Sequence, residues 1–104
     1  MEYVLVISTI NNLEVAKEIA KILIEKKLAA CVNIVPQVTS IYKWKNDICE
    51  DKEYLMLLKT TKDFSENLKA ELINLHPYDV PEVICMDISE GSKEYLEWIK
   101  HSIQ

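Results

Sequence analysis

One stretch, Leu28 to Thr61, limits what this chain can fold into more than any other. Leu28-Ala29-Ala30-Cys31-Val32-Asn33-Ile34-Val35-Pro36 is apolar enough to read as a strand buried on both faces. It runs on through Ser40-Ile41-Tyr42-Lys43-Trp44-Lys45, where Lys43 and Lys45 alternate with Tyr42 and Trp44, the pattern of a strand with one wet face. Asn46-Asp47 reads as a turn pair, and Glu53 to Thr61 as the returning strand. Two strands of this length make a hairpin larger than the rest of a 104-residue chain can cover. Its far end is therefore expected to be an assembly surface.

The remaining elements fall on either side of that hairpin. Tyr3 to Thr9 is a continuous apolar run and reads as a central strand. Asn11-Asn12-Leu13-Glu14 looks like a helix start with Asn11 as cap and Glu14 three residues on. Ala16, Ile19, Ala20 and Leu23 follow at helical spacing, and the helix is expected to end near Lys26-Lys27. The pattern then returns: Asp63 to Glu66 as cap and glutamate, then Phe64, Leu68, Leu72 and Leu75 on one face, with Pro77 as the stop just after His76. Val83 to Ile88 is a fourth strand, and Gly91-Ser92 opens a short helix with Tyr95, Leu96, Trp98, Ile99 and Ile103 on its apolar side.

The order predicts an α+β fold over residues 1–104 as a single domain. It is a ferredoxin-like βαββαβ sandwich with an extra C-terminal helix, both crossover helices lying on one face of an antiparallel sheet. The other face carries aromatic residues and must meet water or another copy of the chain, so a homo-oligomer is expected.

Composition narrows the function. A net charge of −5, with all 12 basic residues lysine, argues against a nucleic-acid surface and removes the bidentate arginine clamp for phosphate. No apolar run reaches the roughly 18 residues a membrane helix needs, and Met1-Glu2-Tyr3 has no basic leader character. Three scattered cysteines, Cys31, Cys49 and Cys85, do not suggest a disulfide framework, so a reducing cytoplasm is the expected compartment. With one glycine in the chain there is no phosphate-cradling glycine loop, nucleophile elbow or His-Glu-x-x-His zinc motif. The chain is not expected to be an enzyme.

The residues that remain each have a plain structural reading and a chemical one. His76-Pro77-Tyr78-Asp79-Val80-Pro81-Glu82 is a helix stop with a rigid loop, or a cluster of imidazole, phenol and carboxylates held by two prolines. Cys31, inside an apolar run, is a small hydrophobe or a thiol ligand. Lys59 closes an apolar strand and either snorkels to the edge or contacts an anion. Tyr42 and Trp44 are cross-strand packing or interface anchors, and the hairpin's reach favours the interface.

Taken together, Ala29 to Pro36, Ser40 to Trp44, Leu58-Lys59-Thr60, His76 to Glu82 and Tyr95-Leu96-Glu97-Trp98 resemble the signature of the CutA (CutA1) divalent-ion tolerance proteins, in order and over nearly the whole chain. The resemblance implies a PII-like, ferredoxin-like protomer in a tight homotrimer, the long hairpin joining the sheets of neighbouring subunits. It also implies a non-enzymatic role in the response to divalent metal ions, with copper binding. Carried over by position, Cys31 and His76 match the suggested copper contacts, a thiolate and an imidazole suited to that metal. Tyr42, Trp44, Lys59, Tyr78 and Glu82 match the cleft between subunits, and Glu53 matches an acidic position on the return strand. Asn46 stands where the family usually has glycine, and asparagine tolerates the left-handed backbone that turn needs. The alternative is a PII-like regulatory module that binds a small anionic ligand in the intersubunit cleft through Lys59, and a third reading is a scaffold for another protein.

Overall fold

A computed structural model describes residues 2–104. The chain runs β1 (Tyr3–Ile10), α1 (Leu13–Glu25), β2 (Cys31–Trp44), β3 (Asp47–Thr61), α2 (Lys62–Leu75), β4 (Val83–Ile88) and α3 (Lys93–Ser102). The four strands form one sheet in the order β2-β3-β1-β4, with every pairing antiparallel. This is the expected ferredoxin-like sandwich with an additional C-terminal helix.

The alternation of β1 explains how the layers close. Val4, Val6, Ser8 and Ile10 are buried, and Val6 and Ile10 join Met56 and Leu58 of β3 beneath α1 and α2. The helices supply Ala16, Ile19, Ala20 and Leu23 from α1 and Leu68 and Leu72 from α2. A Lys26–Glu71 ion pair bridges the two helices at their solvent side. A second, smaller core joins Ile99 of α3 and Ile103, which caps that helix, to Ala30, with Tyr3, Phe64 and Leu96 packed against it. Among the described residues no helix is long and apolar enough to cross a membrane.

Several local expectations need correction. The first half of β2 is not buried on both faces: Cys31, Val32 and Ile34 are half-buried, and Asn33 and Val35 are exposed. The reason is topological, because β2 is the sheet edge and the helices cover one side of it only. Pro36, which cannot donate to a ladder, sits on that edge strand. The hairpin turn is Lys45-Asn46, not Asn46-Asp47, and both residues have positive φ (50° and 70°), as a two-residue primed turn requires. Consequently β3 begins at Asp47, six residues before Glu53, and Cys49 lies in the ladder opposite Tyr42. The cap of α1 is Asn12, whose Oδ1 accepts from the Val15 N–H at 3.0 Å, and α2 starts after Thr61, with Asp63 already inside its first turn. Tyr95 and Trp98 do not join the buried side of α3. They stack on each other at 5.6 Å, 41% and 47% exposed.

The hairpin gives the molecule its shape. Its distal strands extend beyond the sheet as a two-stranded arm, and the protein measures 44 × 25 × 22 Å with a radius of gyration of 14.2 Å, above the roughly 13 Å of a compact chain this size. At the base of the arm the β2–β3 register shifts between Val35 and Val38, three residue steps on β2 against two on β3, with Gln37 at φ 63°. This bulge exchanges which residues of β2 share a face: Cys31, Asn33 and Val35 before it, Val38, Ser40, Tyr42 and Trp44 after it. Tyr42 and Trp44 are thereby placed on the side of the sheet that carries Glu53, Asp51 and Lys59.

Candidate functional site

The residues singled out in the sequence gather at two places on the sheet face away from α1 and α2. The first is a notch between the arm and the loop that follows α2. It is a cavity of about 540 Å3 whose lining includes Asn11, Tyr42, Trp44, Asp51, Tyr78 and Asp79. The loop is fixed there by His76, the cap of α2, which is 7% exposed. Its Nδ1 accepts from the Tyr78 N–H at 3.2 Å, which leaves the proton on Nε2 to donate to the Thr9 carbonyl at 2.9 Å. The His76 and Tyr78 rings meet edge to face at 4.6 Å.

Tyr78 then reaches across to β3. Its hydroxyl donates to Glu53 Oε2 at 2.7 Å, and Glu53 is 7% exposed. Burial, and after it the Glu53 carboxylate, push the Tyr78 phenol above its ordinary value. One step along the arm, the Tyr42 hydroxyl donates to Asp51, and this bond is the main reason its pKa is raised to about 12. Both phenols therefore hold their protons and spend them on carboxylates. Glu82 is exposed and does not line this cavity.

The second cluster lies at the opposite end of β3. Lys59 stands between Cys31 and Leu5 in the ladder, half-buried. Its amine donates to Asn33 Oδ1 at 2.6 Å and to the Tyr95 hydroxyl at 3.2 Å, and lies 5.5 Å from the centre of the Tyr95 ring. Among the described residues no carboxylate pairs with it. Among the described residues the Cys31 thiol has one hydrogen-bond partner, Asn33 Oδ1 at 3.9 Å. Asn33 and Tyr95 were not anticipated, although Tyr95 lies in a block carrying the family resemblance. The strand register that places Asn33 beside Lys59 cannot be read without the pairing.

Cys31 and His76 do not meet within one chain. Cys31 is opposite Lys59, whereas His76 grips Thr9, which is opposite Leu55. Those positions are four residue steps apart on β3, about 13 Å of strand. His76 also has both ring nitrogens engaged. Among the described residues no group of three His, Cys, Asp or Glu side chains is arranged to hold a metal. A metal site built from one chain does not fit these residues.

Comparison with known proteins adds what geometry alone does not. Residues 4–102 match the family described as CutA1 divalent ion tolerance protein. The divalent-cation tolerance protein CutA of Thermus thermophilus is 50% identical over 102 residues, 98% of each chain. The human protein CutA is 48% identical over 92 residues, 88% of this chain and 51% of the human one, so the chain spans about half the length of that relative. The crystal structure of CutA from Xylella fastidiosa superposes with a TM-score of 0.97 at 36% identity over the whole of both chains.

Proposed function

From the premise that this chain belongs to the CutA1 divalent ion tolerance family, we propose that it is a homotrimer that works by binding, not catalysis, and takes up copper or a related divalent ion between subunits. The observation that carries this reading is the separation of Cys31 from His76 within one chain. If both are ligands, a second chain must bring them together. The protruding arm, the open edge of β2 and the exposed Val35, Ile84 and Met86 on the uncovered sheet face support such an assembly. Of the two ligands Cys31 is the readier, since copper at His76 would displace the Tyr78 N–H from Nδ1.

The test is a calorimetric copper titration with zinc as comparison, run on the native protein and on Cys31→Ala and His76→Ala. Saturable binding, stronger for copper and weakened in both variants with the trimer intact on a sizing column, supports the proposal. Undiminished binding in both variants sinks the ligand assignment, and a monomer at working concentration sinks the assembly.

A second reading rests on Lys59. A half-buried ammonium held by two neutral groups, with no carboxylate paired to it, favours a small anionic ligand in the manner of a PII-like regulatory module. A thermal-shift screen of carboxylates and nucleotides tests it, since a ligand bound only by the native state raises the melting temperature. A shift that survives Lys59→Met counts against it.

A further inference from the structure

The notch between the arm and the loop after α2 is separate from both Lys59 and Cys31, and its chemistry is different. Its volume of about 540 Å3 is that of a small-molecule site. Three of its walls are the aromatic side chains Tyr42, Trp44 and Tyr78. The two phenols cannot serve an anion, because their hydrogens are already committed to Asp51 and Glu53. Asp51 and Asp79 line the cavity, with Glu53 directly behind the Tyr78 hydroxyl. Among the described residues Lys52 is the one cation in the lining, and it also borders a second recess with Gln37 and Thr39. Negative charge therefore exceeds positive around a set of aromatic rings.

Such a surroundings suits a cation that sheds its water easily. A bare divalent metal keeps strong hydration and asks for several free carboxylate or imidazole donors, and no group of three is present among the described residues. An organic ammonium instead gains from ring faces as well as from carboxylates. We propose that the cavity bounded by Tyr42, Trp44, Tyr78 and Asp79 binds an organic ammonium ion, a small amine or quaternary ammonium compound. This is independent of the copper reading, which rests on other residues.

Choline chloride is the probe, with 3,3-dimethylbutan-1-ol as its uncharged counterpart. Trp98→Phe leaves Trp44 as the sole tryptophan, so its fluorescence reports on the cavity in the native assembly. The expected result is a saturable change with choline, absent or at least about tenfold weaker with the alcohol, and weakened by a similar factor in Asp79→Asn and in Tyr42→Leu. Asp79 is exposed and bonds nothing that holds the fold together among the described residues, so that variant separates charge from stability. No saturable response to choline overturns the proposal. So does equal binding of the alcohol, or choline binding that neither substitution weakens.

Discussion

Tyr78 donates its hydroxyl hydrogen to Glu53 at 2.7 Å, tying the loop after α2 to the base of the hairpin arm. This bond satisfies a carboxylate that is 7% exposed, and no other hydrogen-bond partner reaches Glu53 among the described residues. Tyr78→Phe keeps the ring against His76 but strands the carboxylate, and is expected to destabilise the fold by about 1–3 kcal/mol. Urea denaturation of the variant measures the loss. In a double substitution with Glu53→Leu the penalty of Tyr78→Phe should largely vanish, because the group that needed the donor is gone.

The two phenols also set a response to alkali. Their ordinary value is 10.0, and in the fold both lie higher: Tyr42 at about 12, held by Asp51, and Tyr78 shifted the same way, first by burial and then by Glu53. The folded chain keeps protons that the unfolded chain releases above pH 10. Their contribution to stability is thus complete below pH 10 and is lost as pH climbs through the folded values. Phenolate absorbance should show a late-ionising fraction among the five tyrosines, reduced in Tyr78→Phe. Asp51→Asn should return Tyr42 toward 10.0. An early, uniform titration of all five would contradict the paired geometry.

Backbone strain at the tip of the arm makes a third prediction. Lys45 and Asn46 both adopt positive φ, a conformation disfavoured for a residue with a Cβ. Asn46→Gly is expected to raise stability by up to about 1 kcal/mol, and Asn46→Val to lower it by at least as much. Thermal melts of the two variants should move in opposite directions.

Asn11 and Asn12 differ in role despite adjacent positions. Asn12 caps α1 through the Val15 N–H, so Asn12→Ala should cost about 1 kcal/mol. Asn11→Ala should leave stability nearly unchanged. A single denaturation series on both variants distinguishes the true cap.

Much of this architecture is legible in the residues, and the misses share a cause. Val83–Ile88 and the buried stripe of α1 follow from local pattern, and they appear where expected. Leu28 to Pro36 reads as doubly buried because apolar content does not tell a central strand from an edge whose cover comes from elsewhere. The bulge is hidden because Val35-Pro36-Gln37-Val38 looks like continuous strand, and only pairing with Leu55 and Glu53 exposes the extra residue. The site behaves likewise. Tyr42, Trp44 and Tyr78 line one cavity of the single chain, and Asp51 and Asp79 enter it through tertiary placement. Lys59 belongs to a separate cluster because register, not sequence distance, decides its neighbours.

The bulge at Gln37 also governs how this protein could be re-engineered. A strand's sides repeat every two residues, so the extra residue resets the phase of everything distal to it. The arm could be lengthened by paired insertions on both strands in steps of two without rotating Tyr42 or Trp44 out of the notch. Deleting Gln37 alone would close the bulge and leave Val38 opposite Glu53 and Tyr42 opposite Cys49, so both aromatic rings would keep their side while the local bend at the base of the arm was lost. The extra residue is thus a hinge pin that sets how the arm leaves the domain, while the ladder with β3 decides which way its rings face.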